Sequence, residues 1–308
     1  MGRRRKGDPV HGWLVIDKPA GVTSANIVNQ ARKILNAAKV GHSGTLDPMA
    51  TGILPLAFGE ATKTVSYMMD GLKEYRFTVK WGEARDTDDA EGAVTQTSNH
   101  RPDKNDIEVA LGKFTGEIQQ VPPIYSAIKV DGERAYKLAR GDKPVEMQPR
   151  KILVERFNLV DQPDLDHAVL DVRSGKGAYM RGLARDLAVH LGTVGHISAL
   201  RRTRLGPFGE NDAISLDKLE QLRHSAAAAD ILRPVETALD DIPALAVTED
   251  EARHLRCGQS VSAVRVAKRP PLNDISQGAV ICAMEEGKLV ALARFEGGEI
   301  RPFRVLNL

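Results

Sequence analysis

The residues best placed to do chemistry fall in one twelve-residue stretch, Gly41 to Gly52, reading GHSGTLDPMATG. Its three glycines and one proline rule out a helix interior or a central strand. It is not a polar linker either, because Leu46, Met49 and the following Ile53 and Leu54 tie it to a core. A single carboxylate, Asp47, sits at its centre between Leu46 and Pro48. Proline restricts the residue before it to extended conformations, so the Asp47 backbone is partly pre-set. Other chemistries fail on spacing. His42 and Ser43 are adjacent and cannot easily face one another as base and nucleophile, and no G-x-S-x-G elbow is present. No lysine follows the glycines where a phosphate-binding loop needs one. The acidic run Asp86 to Gly92 fails as a calcium loop: counted from Asp86, the sixth position is Glu91 instead of glycine and the twelfth is Thr97 instead of glutamate. It reads as a solvated loop between strands. Two cysteines, Cys257 and Cys282, give neither a disulfide framework nor a zinc spacing. Neither a metal nor a cofactor is expected.

The stretch meets every fixed position of G-H-x-G-T-L-D-P-x-A-x-G and so resembles the catalytic motif of the TruB family of tRNA pseudouridine synthases, of the bacterial stand-alone type. Three further pieces follow in the family's order. Asp17-Lys18-Pro19-x-Gly21-x-Thr23-Ser24 is similar to the family's first motif. Lys73-x-Tyr75 is similar to the motif carrying the active-site tyrosine, and Ser174-x-Lys176-Gly177-x-Tyr179-x-Arg181 to the one whose arginine pairs with the catalytic aspartate. The resemblance spans most of residues 11–204. It implies a catalytic set of Asp47, Tyr75 and Arg181, with His42, Lys18, Tyr179 and Leu200 binding substrate. Taken alone, each residue also has a plain reading. Lys18 is then a surface lysine, Tyr75 and Leu200 are core side chains, His42 is a hydrogen-bonded loop histidine, and Arg181 is a surface residue touching phosphate.

The activity this resemblance implies is isomerisation of the T-loop uridine of tRNA, position 55, to pseudouridine. A C–N glycosidic bond breaks, the uracil turns, and a C–C bond forms, with no net redox change and no hydrolysis. An ionised aspartate can attack the base, attack the sugar or abstract a sugar proton. Tyr75 would stack on the uracil. A uridine inside folded RNA must be flipped out to be reached, and His42 is a candidate wedge for the space left behind. The alternative class is a non-catalytic tRNA-binding and folding factor, which the presence of Asp47 disfavours. The implied partner is the tRNA T-arm, with no obligatory protein partner, a monomeric state and a cytoplasmic location.

For the elements that must position these residues the resemblance implies an α+β fold. The implied architecture is the pseudouridine synthase fold, a large mixed, mainly antiparallel sheet flanked by helices, with a small PUA-like C-terminal β-barrel. Residues 11–16 read as a buried strand, and Thr23 or Ser24 caps a helix whose Ile27, Val28, Ala31, Ile34 and Leu35 share one face. A strand over 53–59 places Pro55 at an edge or bulge, and a helix is predicted over 62–69. Tyr75, Phe77, Val79 and Trp81 alternate with polar residues in the clearest strand. Asp106 is expected to cap a helix through Leu111, and Asp131-Gly132 to turn into a helix ending at Arg140. Tyr179, Leu183, Leu187 and Leu191 recur every four residues and Gly192 ends that helix. Thr248-x-x-Glu251 is a capping box. Three strands near 279–284, 289–295 and 300–305 close the chain. A change of character near Pro243 divides the chain, and the resemblance implies a catalytic domain over 1–242, with an RNA-gripping insertion about 121–150, and an RNA-binding domain over 243–308. Hydrophobic residues make up 42% of 308, enough for a full core, and the net charge is only +2, so local clusters such as Arg3-Arg4-Arg5-Lys6 carry the basic character. No apolar run approaches a membrane span.

Overall fold

The structure is a computed structural model and describes residues 7–126, 128–130, 132–139, 141, 145–223, 230–266, 268–270 and 275–308. The basic run Arg3 to Lys6, Asp131, Arg140 and the alanine-rich segment after Ser225 lie outside them. The first half runs β1 (Gly12–Lys18), α1 (Ser24–Ile34), β2 (Val40–His42), β3 (Thr51–Phe58), α2 (Val65–Asp70), β4 (Lys73–Trp81), β5 (Glu83–Arg85), β6 (Val94–Thr97), α3 (Lys104–Leu111) and β7 (Gly116–Gln120). A small hairpin follows, β8 (Lys129–Val130) and β9 (Glu133–Arg134), with α4 (Ala135–Ala139). Then come β10 (Arg150–Asp164), β11 (His167–Ser174), α5 (Met180–His190), β12 (Gly195–Leu205), β13 (Phe208–Gly209) and α6 (Leu216–Gln221). The chain ends with β14 (Ala244–Ala246), the helix Glu249–Arg256, β15 (Val261–Ser262), β16 (Val280–Glu285), β17 (Lys288–Glu296) and β18 (Glu299–Val305).

Nine strands form one sheet in the order β1-β3-β12-β4-β11-β10-β7, with β2 on β3 and β13 on β12. Every pairing is antiparallel except β3 with β12, which touch in parallel through only Thr51 with Arg201 and Gly52 with Arg202. The sheet is therefore mixed and mainly antiparallel. Strand alternation explains what covers it. Leu14, Ile16, Leu54, Leu56, Phe77 and Val79 point into a core shared with α1, α3 and α5. On the opposite face of the first strands, Trp13, Val15, Ile53, Ala57 and Phe208 meet Cys282, Leu289, Leu292 and Leu306. The C-terminal strands thus finish a core begun in the large sheet. Lys63 Nζ donates to Val305 O at 2.8 Å and Asn307 N–H to Glu60 at 2.8 Å across the same junction.

The C-terminal sheet runs β14-β16-β17-β18-β15 around a core that includes Ala252 and Leu255 of the helix Glu249–Arg256. It is a half-barrel: its end strands, β14 and β15, do not pair with one another. The Thr248–Glu251 capping box forms as read from the sequence. Other boundaries moved. The 62–69 helix splits into a 3-10 turn, Gly59–Lys63, and α2, because Thr64 turns its hydroxyl back to Ala61 O at 2.9 Å. Asp103, not Asp106, caps α3, accepting from the Asp106 N–H at 2.8 Å. Pro55 sits mid-strand on β3, in the gap between its β2 and β12 partners, where a missing N–H leaves no ladder bond unmade. Among the described residues no helix is long and apolar enough to cross a membrane.

Candidate active site

The Asp47 loop connects β2 to β3 as an irregular hairpin, and nearly every bond that fixes it comes from elsewhere in the chain. Ser43 donates both N–H and Oγ to Pro55 O, at 3.2 and 3.3 Å. Thr23 takes the cap of α1, which frees Ser24. Ser24 Oγ accepts from Leu46 N–H at 2.9 Å and donates to Leu46 O at 3.0 Å. Pro48 O receives Gly21 N–H at 2.8 Å and Lys18 Nζ at 3.0 Å. Arg202, buried, donates to Ile53 O at 2.7 Å and Gly44 O at 3.2 Å. Leu46 and Ala50 bury their side chains beneath the loop. Gly52 is required by the join that follows: its φ is +99°, and a Cβ there would lie 2.2 Å from Arg202 O.

Register brings the functional side chains to one line. Lys18 lies opposite Gly52, Gly52 beside Arg202, and Arg202 opposite Tyr75, a row across four strands. From the other side α5 supplies Arg181. Its Nε donates to Asp47 Oδ2 at 2.9 Å, and its two terminal nitrogens to Thr87 O at 2.9 Å and Tyr125 O at 2.8 Å. Asp89 Oδ2 lies 3.7 Å from the same Nε. Arg181 is only 4% exposed, while the Asp47 side chain keeps 34%. The carboxylate is therefore held at its back by a planar, permanently charged fork and open in front.

In front lies a cleft of about 890 Å³, lined by Asp47, Tyr75, Arg181, Tyr179, Leu200 and His42. Six of the seven residues singled out from the sequence thus share one cavity. His42 Nδ1 accepts Gly44 N–H at 3.3 Å, and burial, helped by the Arg202 charge, pushes the imidazole down. Its ring, disfavoured in the charged form, forms part of the cleft lining. Tyr179 precedes α5, its N–H and C=O both bonded to the Gln120 side chain at 2.9 Å, and burial pushes its phenol up. Lys73, at the floor, donates to Met69 O and Gly71 O, and burial pushes it down to about 8.

Lys18 is the exception. It is fully buried, lines no part of the cleft, and gives its ammonium to Pro19 O at 2.8 Å and Pro48 O. The surface reading does not hold: Lys18 is buried and tethers the Asp47 loop through Pro48 O. Burial pushes its amine down to about 8, against the pull of Asp47 and Glu91. The Asp86–Gly92 loop also differs from expectation. It joins β5 to β6, but Asp89 is buried and the loop closes the back of the site. Ser24, Thr87, Asp89 and Arg202 were not singled out. Only Ser24 carried a signal, since two adjacent cap candidates leave one hydroxyl free. Among the described residues no group of three or more His, Cys, Asp or Glu side chains is arranged to hold a metal ion.

Residues 32–180 match the family described as TruB family pseudouridylate synthase (N terminal domain), and residues 181–240 match the tRNA pseudouridylate synthase B C-terminal domain. The chain is 58% identical over 308 residues to the tRNA pseudouridine synthase B of Rhodospirillum rubrum, covering all of both chains. It is 54% identical to that of Gluconacetobacter diazotrophicus, over 99% of this chain and 100% of the relative. Its fold matches the structure titled Crystal Structure of a Cbf5-Nop10-Gar1 Complex, with a TM-score of 0.74 and 25% identity over 96% of this chain and 84% of that one. It also matches the structure of an H/ACA RNP bound to a substrate RNA containing 2'-deoxyuridine, with a TM-score of 0.75 and 23% identity over 100% and 92% of the two chains. With a family match running from residue 32 to residue 240 and full-length relatives above half identity, the chain belongs to the TruB family, the pseudouridine synthases of tRNA.

Proposed function

We propose that the chain converts the T-loop uridine at position 55 of tRNA to pseudouridine, with Asp47 as the reacting carboxylate. The observation that carries this reading is the Asp47–Arg181 pair at 2.9 Å, buried behind and open to a cleft that Tyr75 and Leu200 flank. The flipped uracil enters between Tyr75 and Leu200, where an aromatic face and an apolar side chain replace the stack it left. His42, in the cleft lining, is suited to fill the gap in the RNA, and Tyr179 to edge the base. Asp47 serves as nucleophile toward the base or the sugar, or takes a sugar proton; each route fits a carboxylate oriented from one side. The C1′–N1 bond breaks, C1′–C5 forms, the C5 proton leaves and N1 ends protonated, so product and substrate are isomers. The Arg181 fork keeps the carboxylate aimed throughout.

On this reading residues 1–242 form the catalytic domain, about 121–150 grip the T-arm, and 243–308 extend the RNA-binding surface. The chain then works as a monomer in the cytoplasm, without a protein partner. Tritium release from tRNA labelled at uridine C5 tests the reading. Wild type releases tritium from a tRNA carrying the T-loop uridine and none when that uridine is replaced. Asp47→Asn keeps size and hydrogen bonding, binds tRNA with unchanged affinity and releases none. Turnover by the Asn variant would refute Asp47 as the reacting group. Tight binding with no release by wild type would favour a tRNA-folding factor instead.

A further inference from the structure

Helix α5 carries a second arginine one turn beyond Arg181, and the two bridge the same pair of segments. Arg181 holds Thr87 O and Tyr125 O. Arg185 holds Asp88 Oδ2, next to Thr87, at 2.9 Å and Val121 O, at the other end of the Val121–Tyr125 segment, at 2.7 Å, with Asp186 Oδ1 at 2.9 Å completing its fork. Asp88 is the pivot of the first segment. Its φ is +59°, a left-handed conformation that costs a non-glycine residue about 1–2 kcal/mol. That conformation is locked by Asp88 N–H to Arg85 O at 3.0 Å, Ile197 N–H to Asp88 O at 3.1 Å, and the Arg185 ion pair. Burial pushes the Asp88 carboxyl up, and the Arg185 guanidinium works against that shift. The turn at Asp88 aims its two neighbours at the site: Thr87 O at Arg181, and the Asp89 carboxylate to 3.7 Å from the same side chain.

We infer that Arg185 is a positioning residue for the reaction, clamping the Asp86–Gly92 loop to the Val121–Tyr125 segment so that the Thr87 and Tyr125 carbonyls hold the Arg181 fork square to Asp47. The inference rests on the reading in which Asp47 and Arg181 serve the chemistry. Each of the three Arg185 nitrogens is engaged, Nε by Asp186, one terminal nitrogen by Asp88 and the other by Val121 O. A clamp that releases by about 1 Å at Arg181 is enough to cost a reaction up to roughly a hundredfold.

The test is a double-mutant cycle on single-turnover tritium release at saturating tRNA, with tRNA affinity measured alongside. Arg185→Met should lower the rate by about tenfold or more while affinity stays within about twofold. Arg185→Lys, which restores a charge to Asp88 without the fork, should recover part of it. In an Arg181→Lys background the fork is already gone, so Arg185→Met should cost no more than about twofold further. Should the Met variant not fold, Asp88→Asn, which removes only a charge, carries the same comparison. Equal losses in both backgrounds would overturn the inference, since Arg185 would then act elsewhere. So would an unchanged rate with weakened affinity, the mark of a phosphate contact. An Arg181→Lys variant at full rate would instead bring down the reading of the site itself, and the inference with it.

Discussion

Replacing Lys18 by methionine should change the chain's pH response and its rate while leaving its stability at pH 7 nearly unchanged. In the fold the amine is pushed down to about 8 by burial, against 10.5 for a free lysine. Keeping it charged at pH 7 therefore costs about 3 kcal/mol. Its ammonium also serves two carbonyls, Pro19 O and Pro48 O, and a buried carbonyl robbed of its donor costs about 1–3 kcal/mol. Methionine removes both contributions, and at pH 7 they nearly cancel. The pH dependence does not cancel. Between about 8 and 10.5 the unfolded wild type holds a proton that the folded one has released, so wild-type stability rises with pH. From pH 7 to pH 9.5 the gain over the Met variant is about 2 kcal/mol. Lys73, also held near 8, is common to both chains and drops out. The rate should fall about tenfold to a hundredfold, because Pro48, next to Asp47, keeps only the Gly21 donor. Urea unfolding of both proteins across this pH range, with single-turnover tritium release at pH 7.5, measures both effects. A stability difference flat with pH, or falling as pH rises, would refute the buried-cation argument. A wild-type rate would refute the tether.

Tyr75→Phe keeps the ring and loses the hydroxyl, so it should bind tRNA normally and turn over slowly, whereas Tyr75→Leu should weaken both; wild-type turnover in the Phe variant would confine Tyr75 to packing. Gly52→Ala forces a Cβ against Arg202 O at positive φ and should destabilise the fold by roughly 2–5 kcal/mol, read as a fall in melting temperature, with an unchanged melting point counting against the close approach. Ending the chain at Ile242 removes Cys282, Leu289, Leu292 and Leu306 from their contacts with Trp13, Ile53 and Phe208, so the remainder should aggregate or bind a hydrophobic dye. A soluble fragment with a cooperative unfolding transition would show that the large sheet stands alone.

What could be read from the sequence was local. Asp47 stood out because glycines and a proline crowd around it, and the Tyr75 strand because its alternation is strict over seven residues, 75–81. Interactions set by distant contacts stayed hidden. Lys18 looks like any turn lysine until β1 lies beside β3 and puts Pro48, thirty residues on, over its ammonium. The Asp86–Gly92 run reads as solvated because its composition is acidic. Asp89 within it is buried, and Asp88 and Asp89 are paired by two arginines of α5 that arrive about ninety residues later. The two-residue contact of β3 with β12 leaves no mark on either strand beyond Gly52. The C-terminal sheet ends on two short strands, β14 and β15, whose lengths of three and two residues leave little alternation to read.

That two-residue parallel contact has a mechanical consequence. Asp47 enters from one side of it, on the loop feeding β3, whereas Tyr75, Arg181 and Leu200 belong to β4, α5 and β12 on the other. The protein is built like a vice, with the carboxylate on one jaw and Tyr75, Arg181 and Leu200 on the other. Long antiparallel ladders join β1 to β3 on one side and β12 to β4 to β11 on the other. The two sides are tied at Thr51 and Gly52, by the Arg202 side chain reaching across to Ile53 and Gly44, and by the Arg181–Asp47 pair. An engineer seeking a different spacing between Asp47 and Tyr75 would begin at these residues.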